Sequence, residues 1–207
     1  MNLHEYQAKK ILSEYGILVP KGELVEDPEY SEIAAKKIDS DRYVIKAQAH
    51  TGDRKRAGGI VIVDHLESVK MEVEKIFNRR LITDQTGKDG LPVNQVLIEE
   101  MCKIKKEIYL GILIDRTLRR VVIIGSEGGG TGIEKKTSSN PNNLKKLILD
   151  INYNQSKTGF DKFIQSLNLE SNLILEFEHL INSLIELFHK EDASLVEINP
   201  LILNEKN

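Results

Sequence analysis

A mixed α+β fold is predicted by the sequence on three observations. Apolar residues recur at helical spacing near both ends of the chain, from Leu3 to Tyr15 and from Leu173 to Phe188. Between them lie short apolar or alternating runs with strand character, among them Tyr43–Ala47, Ile60–Val63 and Gln95–Glu100. Proline and glycine breaks separate these runs, and the first part of the chain reads in the order α, β, α, β, β, α.

Each element has its own signal. Leu3, Tyr6, Gln7, Ile11, Leu12 and Tyr15 share one side of a helix that Gly16 can end in a left-handed conformation, and Pro20 blocks continuation. Gly22 to Val25 suits a short strand, and Pro28 falls in the first turn of a capped helix from Asp27 to Ile38. After the Tyr43 and Ile60 strands, Leu66, Val69, Val73, Ile76 and Phe77 follow helical spacing. Leu81 to Val93, with Gly87, Asp89, Gly90 and Pro92, reads as an exposed loop or turn. In Gln95–Glu100, alternation puts Val96 and Ile98 on one face and Leu97 and Glu99 on the other. Lys106–Asp115 and Arg119–Ile124 form a hairpin around Arg116, Thr117 and Leu118. On its first strand Ile108, Leu110, Ile112 and Ile114 face the core, while Glu107, Tyr109 and Gly111 leave the other face polar and roomy. Ser126–Gly132 is a Gly-rich loop, and Asn140–Asn143 and Asn152–Thr158 are further breaks. The strongest helical pattern then precedes a closing strand, Ala193–Leu203, which carries Glu197 and Asn199 on one face.

Composition narrows the function classes. A chain of 207 residues buries about 70% of its unfolded surface, enough for one large domain or two lobes. With 40% hydrophobic and 29% charged residues it reads as globular, and a net charge of −3 gives no global field favouring nucleic acid or an anionic membrane. One cysteine, Cys102, excludes an internal disulfide framework. No apolar run approaches the length of a membrane span and the start lacks a signal-peptide core, so a cytoplasmic protein, or the mature form of a mitochondrial matrix one, is expected.

Tyr43 to Gly59 carries the chemistry. Lys46 interrupts an apolar strand, and a buried ammonium is costly unless an anion meets it. The following loop holds Arg54, Lys55 and Arg56 between Gly52 and Gly58, supplying cations and backbone N–H groups of the kind a polyphosphate needs. Nucleotide binding is one reading of this stretch. An ordinary hairpin whose tip is basic for solubility is the other. The P-loop pattern G-x-x-x-x-G-K-[ST] is absent from the sequence.

An ordered set of motifs carries a resemblance across nearly the whole chain: M-N-L-H-E-Y-Q-A-K, V-P-K-G, V-I-K-A-Q-A-H-T-G-D-R-K-R-A-G-G, P-V-N-Q-V-L-I-E-E, K-E-I-Y-L-G-I-L-I-D-R, R-R-V-V, E-G-G, I-E-K and L-V-E-I-N-P-L. In that order they resemble the nucleotide-binding part of the ADP-forming succinyl-CoA synthetase (succinate–CoA ligase) beta subunit family. The resemblance implies an ATP-grasp fold, in which two α+β lobes close on a nucleotide. Residues 1–20 and 104–207 would form the core lobe and residues 21–103 the lid. It implies ATP and Mg²⁺ as cofactors, a hetero-oligomer with the alpha subunit, whose histidine takes the phosphoryl group, and succinate and CoA bound through a further lobe and that partner, as a step of the tricarboxylic acid cycle.

Carried onto matching positions, the resemblance makes Lys46 a phosphate contact and Asp53, Arg54 and Lys55 the loop over the phosphates. Glu99 to Cys102 would meet the adenine edge largely through backbone groups, and Glu107 would hydrogen-bond near the nucleotide. Asn199 would be a Mg²⁺ ligand, and Glu197 would orient the arriving phosphohistidine as the catalytic carboxylate. The family's loop usually reads G-G-R-G-K-A-G-G, so Asp53 and Lys55 are departures, as is Gly132, where the family usually has a glutamate. Two alternatives stand beside this reading: the beta subunit of a malate–CoA ligase, and a non-catalytic nucleotide-binding or subunit-association module. The chain by itself is expected to be inactive, without the phosphorylatable histidine and the CoA lobe, and Lys46→Ala to weaken nucleotide binding with little loss of stability.

Overall fold

Alternating burial organises the first sheet. In β2 (Tyr43–Ala47) Tyr43, Ile45 and Ala47 are buried while Val44 and Lys46 point to the other face. Strands β1 (Gly22–Val25), β6 (Val96–Glu100), β2 and β3 (Ile60–Val63) lie in that order, every neighbouring pair antiparallel. The register places Lys46 opposite Leu97 and Ile60, and Val44 opposite Glu99. The computed structural model describes residues 2–130, 143–150 and 157–204. Thr131 and Gly132 of the Gly-rich loop, the break at Asn140–Asn142 and residues 152–156 of the next break lie outside them.

One face of this sheet packs on two helices. Asp27 accepts the N–H of Glu29, Pro28 fixes the first turn, and a short 3₁₀ segment runs into α2 (Ser31–Ile38), which ends at Asp39 with φ 53°. α3 (Val69–Phe77) follows β3. Ala35, Ile38, Val69, Val73 and Ile76 close over Ile45, Val96 and Ile98 in one apolar core. Burying such aliphatic side chains contributes about 1.5–3 kcal/mol each. Across the other face runs α1 (Glu5–Glu14), followed by Gly16 at φ 75°.

Residues 81–93 differ from the exposed loop that their glycines predict. Arg80–Leu81 (β4) and Leu91–Pro92 (β5) pair as a two-residue ladder, and Leu81 and Val93 are buried in the core. Gly90, at φ 60°, sits so close to the Leu81 carbonyl that a Cβ would fall 2.8 Å from its oxygen. Turn-forming residues marked the tip correctly, but two apolar residues on each side were too few to show a period.

The second sheet runs β10 (Leu195–Asn204), β7 (Ile104–Asp115), β8 (Arg120–Glu127) and β9 (Lys145–Ile148), again antiparallel. Ile108, Leu110 and Ile112 are buried with Phe160, Phe163 and Ile164 of α4 (Lys157–Gln165) and Phe177, Ile181 and Leu184 of α5 (Ile174–Lys190). Gly125 on β8 lets α4 approach: a Cβ there would meet Phe163 at 3.0 Å. Ile114 is not core as expected but 49% exposed, because the β7–β8 hairpin carries it beyond the helices' cover. The β10–β7 register slips between Ile198 and Leu201, at Asn199–Pro200.

Contacts divide the chain into two compact units, Met1–Glu14 with Leu18–Cys102 and Tyr15–Ile17 with Lys103–Asn207. Each contains one four-stranded sheet with its own helices.

A discriminating consequence concerns Leu81. Leu81→Ala is expected to lower unfolding stability by about 3 kcal/mol, the range for a fully buried leucine. Urea denaturation measures it, and a change within ~0.5 kcal/mol would return residues 81–93 to a solvated loop.

Candidate functional site

The candidate site in the first unit begins with how α1 is held. The His4 N–H donates to Gln7 Oε1 at 2.9 Å, half of a capping box, and the Tyr6 N–H donates to Gln48 Oε1 at 3.1 Å. Gln48, just past β2, thus supplies the capping oxygen that α1 does not supply for itself, and it fixes the helix against the strand that carries Lys46. His50 stacks on His4 with centroids 3.9 Å apart. Burial, then the neighbouring charges of His50 and Arg54, push the His4 pKa down.

This placement brings the Glu5 carboxylate of α1 onto Lys46 and the Lys9 ammonium onto the carboxylates that Lys46 meets. The Lys46 ammonium lies 2.8 Å from Glu5 Oε1 and 2.5 Å from Glu99 Oε2. Lys9, one turn after Glu5, pairs with both Glu5 and Glu99. Arg54 donates from Nη2 to Glu5 Oε2 at 2.6 Å and from Nη1 to the Ala47 carbonyl at 2.8 Å. The Arg54 guanidinium therefore ties the loop back to the end of β2. The loop turns through Asp53, at φ 53°, whose carbonyl accepts the Ala57 N–H, and closes with Gly59 N–H to the Arg54 carbonyl at 2.7 Å. Asp53 is half-buried, and Lys55 and Arg56 are the loop's exposed cations.

Burial decides how these charges behave. Glu99 is 2% exposed, while Lys46 and Glu5 are 19% exposed. Desolvation works against the Lys46 charge, yet Glu5 and Glu99 outweigh it and raise its pKa above that of an ordinary lysine. Desolvation likewise opposes ionised Glu5, but Lys46, Lys9 and Arg54 hold its carboxyl well below the usual range. Cys102 follows β6 as a half-buried free thiol whose pKa is pushed up by burial and then by Glu100 and Glu99. The preceding backbone N–H groups are engaged, Glu100 with Lys21 and Met101 with Arg42.

The second unit holds its own polar cluster. After β8 the chain turns across the ends of β7 and β10: Gly128 N–H meets the Glu107 carbonyl at 3.0 Å, and Gly130 N–H meets Asn199 Oδ1 at 2.6 Å. Gly129 is so tight against β7 that a Cβ would lie 2.9 Å from the Ile108 carbonyl and 3.0 Å from Pro200. A Cβ on Gly130 would lie 3.0 Å from Glu107 Oε2. Glu197 pairs with Gly111, and Ile202 with Glu107, so Glu197 and Glu107 share the face of the second sheet opposite Ile108 and Leu110. An amide oxygen has two lone pairs, so Asn199 keeps one beside its bond to Gly130. No group of three or more His, Cys, Asp or Glu converges among the described residues. The Asn199 amide oxygen is a hard donor of the kind that would hold Mg²⁺.

The first structural surprise is Glu5 and Lys9, neither of which stood out in the sequence. An acid in a first turn with a lysine four residues on is ordinary helix patterning. The usable signal was Lys46 itself, whose burial demanded an anion.

The chain is similar to known proteins over nearly its whole length. The ATP-grasp domain family matches residues 2–203. The succinate–CoA ligase [ADP-forming] subunit beta of Bacillus subtilis is 38% identical over 203 residues, covering 98% of this chain and 53% of the relative. That of Escherichia coli K12 is 38% identical over 211 residues, covering all of this chain and 53% of its own. The chain thus spans about half the length of these curated relatives. Among solved structures, PH1788 from Pyrococcus horikoshii superposes with a TM-score of 0.74 at 19% identity, covering 98% of this chain and 85% of its own. The dinucleotide-forming acetyl-coenzyme A synthetase 1 of Ca. Korarchaeum cryptofilum gives 0.72 at 17%, covering 97% and 86%.

Two stability tests follow from the network. Lys46→Ala leaves Glu5 and Glu99 facing each other in a half-dry site, so a loss of about 3 kcal/mol in urea unfolding is expected, not the small loss that an unpartnered strand lysine predicts. The second test is pH. The depressed Glu5 pKa adds stability above about pH 4.3 that is lost as pH falls through the folded value, and the raised Lys46 pKa adds stability lost only above about pH 10.4. Melting temperature should therefore hold between these limits and fall on the acid side, and Glu5→Gln should flatten that acid limb.

With the sheets, their helices and the match over residues 2–203 in agreement, this chain belongs to the ATP-grasp family.

Proposed function

We propose that this chain is the nucleotide-binding part of an ADP-forming succinate–CoA ligase beta subunit. The observation that carries the reading is the convergence of Lys46, Lys9 and Arg54 beside the exposed Lys55 and Arg56. Cations gathered in this way suit a polyphosphate. Likeness to the beta subunits supports the choice of acid–CoA ligase.

In this reading Lys46 and the Asp53–Lys55 loop of the first unit meet the phosphates, and Glu99 to Cys102 lines the base. Glu99 acts there through Lys46 and Lys9 rather than by touching the nucleotide with its own buried carboxylate. The second unit contributes Glu107 beside the nucleotide, Asn199 to Mg²⁺, and Glu197 to the incoming phosphohistidine of an alpha subunit, with succinate and CoA as the other reactants. Mg²⁺, when bound, neutralises charge on the transferring phosphoryl group. Phosphoryl transfer asks the protein chiefly for positioning and charge compensation, which these residues are equipped to give.

Calorimetric titration with Mg-ATP tests the reading. The wild-type chain is expected to bind, and Lys46→Met, which keeps the stem but not the charge, to bind at least about tenfold more weakly, a loss of ~1.4 kcal/mol or more. No heat from wild type would end the nucleotide reading. Incubating the chain with an alpha subunit and ATP, then assaying acid-labile phosphohistidine, separates a competent beta-subunit part from a binding module.

A further inference from the structure

Glu5 and Glu99 neutralise the same cations but are not equivalent. Glu99 sits on the central strand β6 at 2% exposure, bonded to Lys9 and Lys46, and has nowhere to go. Glu5 sits in the first turn of α1 at 19% exposure, and its two oxygens face Lys46, Lys9 and Arg54. Three cations against two carboxylates leave the cluster one positive charge. Without Glu5, Lys46 keeps Glu99, whereas Arg54 keeps the Ala47 carbonyl as its hydrogen-bond acceptor.

Building on the nucleotide reading, we propose that Glu5 is a surrogate anion that occupies the phosphate-facing side of Arg54 and Lys46 and gives way, first at Arg54, when a polyphosphate arrives. The carboxylate keeps mutually repelling cations together while the site is empty. A nucleotide polyphosphate, with several negative charges where Glu5 has one, takes its place. Glu5 is thus a positioning residue that sets affinity by competition, while Glu99 is a permanent counter-ion. Physically, an anion that can rotate towards water is cheap to displace, and one enclosed in a sheet is not.

Competition and scaffolding predict opposite signs for one substitution. Glu5→Gln is expected to lower the melting temperature of the ligand-free chain. The same change is expected to tighten binding of Mg-ATP, and of inorganic tripolyphosphate, by about three- to tenfold, with a larger ligand-induced rise in melting temperature. A residue that only supports the fold would weaken both. Glu5→Asp, which keeps the charge but shortens its reach, serves if Glu5→Gln does not fold, and should shift affinity in the same direction by less. Wild-type binding with equal or weaker binding by the folded variants overturns the inference and leaves the nucleotide reading standing. Absence of wild-type binding overturns both.

Discussion

The first unit depends on one electrostatic constraint: a lysine on a mostly buried strand must have its charge met. Glu99, diagonal to Lys46 across the β2–β6 ladder, meets part of it, and Glu5 meets the rest from α1. An isolated ammonium in such a place would lose its proton or open the site to water. Instead the charges fix how α1 lies on the sheet, since Glu5 and Lys9 reach their partners only with the helix in this rotation. The Gln48 contact to Tyr6 sets the same rotation from the backbone side. Two tethers, the ion pairs and the Gln48 contact, therefore act on the same placement of the helix.

The two units solve different chemical problems with the same kind of sheet. The first gathers cations on one face of a sheet whose other face is apolar core. The second gathers an amide, carboxylates and glycine N–H groups where β7 and β10 meet the turn after β8. Glycine is needed in the second because Gly129 lies against the Ile108 backbone with no room for a side chain.

Much of this was legible in the sequence, for identifiable reasons. β2 and much of β7 alternate, and α3 and α5 carry four or more apolar residues in helical phase, so their existence and buried faces could be read, whereas β6 is buried on both faces. Glu107 and Glu197 fell on the non-core face of their strands, as alternation requires. The β4–β5 pair was not legible, because two-residue strands have no period to detect. Glu5 was not legible either: Lys46 in an apolar strand needs an anion, but a contact spanning 41 positions leaves no local trace of which one. The register slip at Asn199–Pro200 likewise depends on the partner strand.

That slip has a bearing on self-association. β10 is ten residues long and, among the described residues, lies at the end of its sheet order, where another chain can add a strand. Pro200 carries no N–H, and the register shifts around it. A strand added along β10 would meet that break midway, so the segment that carries Asn199 also works against edge-to-edge aggregation.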